Sequence, residues 1–183
     1  MLAPVPPEGI PLLRKVLETW LSSGADEVIV VLGNDAEKVR EGLGETQGRP
    51  HTPVFVENSR WREGMFSSVK AGLAATDARS THVALSPADL PFLSENSLRT
   101  VLSAAASLDP GGSSLVVPMH GGRRGHPLLV PAALRARVLS WPDSARLNQL
   151  FDEPDVTVHC LEGFDESILH DVDIPEDLRA RKE

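Results

Sequence analysis

The chain has 183 residues, 26 acidic against 18 basic, for a formal net charge of -8. That length suits one domain with a proper core, and the acidic balance excludes broad electrostatic attraction to nucleic acid or an anionic membrane. Cys160 is the only cysteine, which excludes an internal disulfide and a multi-cysteine zinc site and fits a reducing compartment.

No apolar run reaches the roughly 18 to 20 residues needed to span a bilayer, and the amino terminus lacks a basic stretch followed by an apolar one. The expectation is a soluble, cytoplasmic protein. Leu12, Leu13, Val16, Leu17, Trp20 and Leu21 recur at helical spacing, with Gly24 as a stop. Glu27 to Gly33 is a near-continuous β-branched run, as in a strand covered on both faces of a parallel sheet. The pattern then predicts helix over 35–43, strand over 53–57, helix over 65–75, strand over 82–85 and helix over 94–107. Such alternation means α/β with right-handed crossovers. Beyond Asp109-Pro110-Gly111-Gly112, two short strands, 115–118 and 127–130, flank the turn Gly121-Gly122-Arg123-Arg124-Gly125 as a hairpin. Helices are expected over 132–139 and 145–151, strands over 156–161 and 167–170, and a closing helix over 175–181 with Pro175 at its start.

In open parallel sheets ligands bind beyond the carboxyl ends of the strands, where Gly33-Asn34, Asn58 and Asp89 fall. Asp89, between Pro87 and Pro91, projects from a stiff turn that suits either a turn cap or a ligand for a divalent ion near a triphosphate. Ser67 and Ser68 open a helix, where hydroxyls normally cap, and Gly64 before them allows close approach of a ligand. Met65 and Phe66 read as packing residues. Arg123, Arg124 and His126 surround Gly125 in a turn that is by itself only solvated and charged. Asp171, Asp173, Glu176 and Asp177 gather at a helix start, where the dipole favours carboxylates, and Asp173 has a capping-box relation to Glu176. Cys160 is expected in the core. The remaining histidines, 51, 82, 120, 159 and 170, show no metal spacing.

Four segments taken together, Glu57 to Leu73, Pro87-Ala88-Asp89-Leu90-Pro91, Arg124-Gly125-His126-Pro127 and Asp171 to Leu178, resemble the molybdenum-cofactor nucleotidyltransferases, especially the cytidylyltransferase branch. The resemblance implies a three-layer α/β sandwich with a mainly parallel sheet, of the Rossmann-like nucleotide-diphospho-sugar transferase type. It implies transfer of a cytidylyl group from CTP to the phosphate of a molybdopterin-type cofactor with release of pyrophosphate; guanylyl transfer from GTP is the near alternative. Mg2+ would be held by Asp89 together with Asp173. Asn58, Gly64, Ser67 and Ser68 would line the nucleobase pocket. Arg124 and His126 would face the pterin-bearing substrate, Arg124 holding its phosphate and His126 orienting it or relaying a proton. A molybdenum hydroxylase is the implied acceptor protein.

One part of the resembled pattern is absent. Family members begin with a strand running into a Gly-rich loop of the form Leu-Ala-Ala-Gly-x-Ser-x-Arg-Met-Gly-x-x-Lys, and residues 2–13 here look like the segment that follows it. The expectation is a single nucleotidyltransferase-like domain over 1–183, truncated at its amino end, with the first strand missing. That strand would lie between 28–32 and 82–85, so its loss leaves two interior edges open unless those strands pair directly. The alternative to an enzyme is a catalytically inactive protein that binds the molybdenum cofactor or a partner and has lost the phosphate loop. An in-frame start upstream of Met1 encoding the strand and loop would favour the enzyme, and a stop codon there the binding protein.

Overall fold

A computed structural model describes residues 4–5, 10–44 and 52–172. Pro4–Val5 (β1) pairs antiparallel with Ile10–Pro11 (β2). Leu12–Leu21 (α1) buries Leu12, Leu13, Val16, Leu17 and Leu21 on one face, as the helical spacing dictates. The helix ends where Ser22 N–H bonds the Glu18 carbonyl and Gly24 takes a φ of 91°, a conformation glycine adopts at no steric cost. Ile29–Leu32 (β3), Ala36–Leu43 (α2) and Val54–Glu57 (β4) follow, then a 3-10 turn at Trp61–Glu63, Met65–Ala75 (α3) and His82–Leu85 (β5). Glu95–Leu108 (α4) starts at Ser94, whose side chain accepts from Ser97 N–H at 3.0 Å. Leu115–His120 (β6), Arg123–Arg124 (β7), Leu128–Pro131 (β8), Arg135–Ser140 (α5) and Val158–Leu161 (β9) complete the regular elements.

The α/β expectation holds, but the sheets are mixed rather than mainly parallel. β3 and β4 form a parallel pair, and β6 and β9 another. β5 pairs antiparallel with β8, and β6 antiparallel with β7 and β8. The cause is local: Gly121 and Gly122, at φ 56° and 75°, turn the chain within two residues, so β7 must run back along β6. β8 then inserts antiparallel between β5 and β6. The expected hairpin is therefore real, but Arg123 and Arg124 form its return strand rather than its turn.

Three further expectations are corrected. Residues 167–170 do not form a strand, because Asp165 Oδ1 accepts from Ser167 N–H at 2.8 Å and closes a 3-10 turn at Glu166–Ile168. The helix expected over 145–151 is a 3-10 segment at Leu147–Asp152. Cys160 is exposed, not in the core; it lies on β9, which among the described residues pairs only with β6, and successive side chains of a strand alternate between faces. Asp173 and the closing helix over 175–181 lie outside the described residues.

The core gathers between the sheets and the helices. Phe66 and Leu73 of α3 pack with Leu115, Val117, Leu128, Val130, Val138 and Leu150, with Val83 and Leu85 alongside. Leu13, Leu17 and Leu21 of α1 pack with Val28 and Leu43. Leu73, Leu115, Leu129 and Leu150 are each fully buried, a contribution of about 1.5 to 3 kcal/mol per side chain relative to exposure. Helix α3 spans two sheets, since Gly72 lies beside Val31 of β3 while Phe66 and Leu73 belong to the core cluster against which Val83 and Leu85 of β5 pack. Among the described residues, β3 pairs with β4 alone and β5 with β8 alone, and the two do not pair with each other. Direct closure of the two edges is thus not what the chain does. Both strands are accordingly half-buried over most of their length, whereas β8 is buried throughout.

Candidate functional site

Parallel pairing brings the carboxyl ends of β3 and β4 together, and Asn58 N–H extends the ladder by bonding the Leu32 carbonyl at 2.7 Å. The Asn58 side chain, 5% exposed, turns inward. Its amide nitrogen donates to Ser67 Oγ at 2.8 Å and Ser68 Oγ at 3.0 Å, and its Oδ1 accepts from Arg60 N–H at 2.9 Å. A buried amide must find such partners or cost the fold free energy. Ser67 Oγ in turn donates toward the Arg60 and Gly64 carbonyls, at 3.0 and 2.8 Å.

This closed network shows that Ser67 and Ser68 are not helix caps. The position before α3 is Gly64, with φ 112° and nothing within 4 Å of where a Cβ would sit. Ser67 is committed to holding the loop. Ser68 is half-buried and accepts from Asn58, which leaves its hydroxyl hydrogen for another acceptor. Phe66 is a packing residue as expected, stacked on Trp141 with centroids 6.2 Å apart. Met65 is not: it is 80% exposed beside the open Gly64.

A second group forms beyond β5. The Asp89 carbonyl accepts from Val172 N–H at 2.9 Å, which ties the turn of Asp89 to the segment carrying Asp171. His126, between β7 and β8 and joined to Pro127 by a cis peptide bond, donates its backbone N–H to the Ile168 carbonyl at 2.8 Å. Burial pushes the His126 ring below its ordinary range, against a ring hydrogen bond to the Leu85 carbonyl and the charges of Asp89 and Asp171. His126 is therefore neutral at pH 7, and its Nδ1 is buried with no hydrogen-bond partner.

The fold thus brings Asp89 and His126 together, and Asn58, Gly64, Ser67 and Ser68 together. Arg124 is exposed and lays its guanidinium 4.0 Å from the Phe151 ring centroid, a cation–π contact. Among the described residues no group of three or more His, Cys, Asp or Glu side chains is arranged to hold a metal ion. An ion shared with a triphosphate needs only one or two carboxylates, the remaining sites being filled by phosphate oxygens and water. Asp89 fits that demand, with Asp171 nearby; a cage built from protein ligands alone does not fit.

Sequence reading missed the support behind the first group. Asp143 accepts from Arg60 at 2.5 Å and from Lys70 at 3.1 Å. The hydrogen bond from Lys70, then that from Arg60, holds its carboxyl below the ordinary range. No local motif signals this contact, since 83 residues separate Arg60 from Asp143.

Residues 1–158 match the family described as MobA-like NTP transferase domain. The chain is 33% identical over 183 residues, 95% of its length and 84% of the relative's, to nicotine blue oxidoreductase of Paenarthrobacter nicotinovorans. It is 26% identical over 130 residues to the molybdenum cofactor cytidylyltransferase of Escherichia coli (strain K12), covering 71% of this chain and 62% of that one. In fold it is similar to a nucleotidyl transferase from Methanothermobacter, with a TM-score of 0.78, 24% identity and coverage of 98% of this chain and 83% of the other. A manganese complex of Rv0371C from Mycobacterium tuberculosis has a TM-score of 0.72 at 22% identity, covering 97% of this chain and 89% of that one. The chain belongs to the MobA-like NTP transferase domain family, and is an enzyme of the nucleotidyltransferase kind.

Proposed function

We propose that the protein transfers a cytidylyl group from CTP to the phosphate of a molybdopterin-type molybdenum cofactor and releases pyrophosphate. The observation that carries this reading is the buried Asn58 amide bonded to both Ser67 and Ser68 at the carboxyl edge of the β3–β4 pair. It is a rigid polar floor for a base edge. Ser68, committed as an acceptor toward Asn58, offers its hydrogen to a base carbonyl, and the open Gly64 allows close approach. The name of the Escherichia coli relative supports the cytidylyl choice.

Asp89 would hold a divalent ion, taken here as Mg2+; that a structural neighbour is a manganese complex supports a divalent ion at this kind of site. When bound, the ion would neutralise charge on phosphate oxygens. His126, a half-buried neutral imidazole beside Asp89, would orient the acceptor phosphate or help relay a proton from it. Arg124, leaving or sharing Phe151, would hold that phosphate through its fork of N–H donors. Asp173 remains a proposed second metal ligand.

A second reading is favoured by one observation, the 33% identity to an oxidoreductase over almost the whole chain. In it the Asn58–Ser68 pocket would take the nucleotide part of a redox cofactor. Calorimetric titration separates the two. CTP with Mg2+ is expected to bind more tightly than GTP or a nicotinamide dinucleotide. A GTP preference would overturn the cytidylyl assignment, and a preference for the dinucleotide would favour the redox reading.

A further inference from the structure

The segment after α5 is built as a bracket for the loop that forms the base pocket. Val138 of α5 is fully buried in the main core. The chain then turns sharply, with Trp141 N–H bonded to the Val138 carbonyl at 3.2 Å and Ala145 N–H to the Pro142 carbonyl at 2.9 Å. From this turn three different groups reach the loop and the first turns of α3. The Trp141 ring stacks on Phe66. The Trp141 carbonyl accepts from Lys70 Nζ at 2.8 Å. The Asp143 carboxylate spans both sides, one oxygen taking Lys70 of α3 and the other taking Arg60 of the loop.

Arg60 is the point at which the two networks join. Its backbone N–H and carbonyl bond the side chains of Asn58 and Ser67, while its guanidinium bonds Glu63 and Asp143. We propose that Asp143 is a positioning residue for the base pocket: by holding Arg60 and Lys70 it fixes the loop from Asn58 to Ser68 in one geometry. This rests on the nucleotide reading of that pocket for its consequence, though not for its mechanics. Arg60 is 55% exposed and Asp143 32%, so the ion pairs add little to global stability. Their effect is local, on a loop whose other side-chain hydrogen bonds are mostly internal to it, where a small displacement of polar groups has large consequences for a bound ligand.

The test compares Asp143→Asn and Asp143→Glu with the unmutated protein by hydrogen exchange and by titration. In Asp143→Asn, amide exchange over 58–68 is expected to quicken while exchange in α4 stays unchanged. CTP affinity is expected to fall about tenfold or more, with affinity for inorganic pyrophosphate, which carries no base, unaltered. Asp143→Glu should restore part of both effects. Arg60→Gln, which cuts one exposed arm of the same bracket, serves as a second variant and should give the same pattern. Unchanged exchange over 58–68 in the Asn variant overturns the proposal. Failure of the unmutated protein to bind CTP would sink the nucleotide reading instead, and the exchange result would still decide the role of Asp143.

Discussion

Gly125 lies so close to Ile168 that a Cβ on the glycine would stand 2.6 Å from Ile168 Cγ1 and 2.7 Å from its carbonyl oxygen. The next residue, His126, bonds that same carbonyl through its backbone N–H. The glycine of the Arg-Gly-His-Pro segment is thus demanded by packing: it lets the strand connection press onto the Glu166–Ile168 turn and sets His126 beside Asp89.

Gly125→Ala is therefore expected to destabilise the protein by about 1 to 3 kcal/mol, the usual result of forcing a methyl into packed surroundings. Denaturant unfolding measures it. Because the backbone carbonyl as well as the side chain is in the way, the cost of Gly125→Ala measured in an Ile168→Ala background, relative to Ile168→Ala alone, should be only partly reduced. No cost of the alanine in that background would mean that the side chain alone sets the constraint.

Asp89→Asn is expected to lower metal-dependent pyrophosphate release by at least about a hundredfold while leaving the unfolding midpoint nearly unchanged. The asparagine keeps the shape of the side chain and the backbone bond to Val172 but removes the charge. Turnover at the unmutated rate would take Asp89 out of the metal site.

Ser68→Ala should narrow the difference between CTP and GTP affinity. The change deletes one hydroxyl from the proposed base site and leaves the Asn58–Ser67 bond intact. An unpaired base edge costs about 1 to 3 kcal/mol, read directly from two calorimetric titrations. An unaltered ratio would show that Ser68 does not read the base.

His126 sets a pH dependence of defined sign. Burial, working against the Leu85 carbonyl and the charges of Asp89 and Asp171, holds its ring below the ordinary value of 6.5. The unfolded chain therefore binds a proton that the folded chain refuses, so stability falls as the pH drops through 6.5 toward the lower folded value. Well above 6.5 the ring is neutral in both states and contributes no slope. His126→Gln should flatten this part of the stability profile; an unchanged slope between pH 7 and 5, about the range in which histidine titrates, would show that another group sets it.

Local pattern carried much of the secondary structure. The spacing of Leu12, Leu13, Val16, Leu17 and Leu21 marked α1, and the β-branched run at 28–31 marked β3, because burial of one helix face or of a whole strand leaves a period in the chain. It misjudged Cys160 and Met65, whose exposure depends on what packs against a given face rather than on hydrophobicity. It also misread residues 167–170, where one Asp165 side chain outcompetes extension.

The family and the α/β class were legible in the sequence, since each rests on short segments whose chemistry is local; the candidate site residues were named from the same segments, and their roles stand as proposals. Tertiary structure alone decided three things. It set the mixed direction of the sheet, fixed by a two-residue glycine turn and the insertion of β8 between β5 and β6. It joined Asp89, His126 and Asp171 through backbone bonds from Val172 and His126 to Asp89 and Ile168. It placed Asp143 against Arg60 and Lys70, beside the loop that carries Asn58. These contacts join residues distant in sequence, and pairing at such separation depends on how the whole chain closes its core, which no window of neighbouring residues encodes.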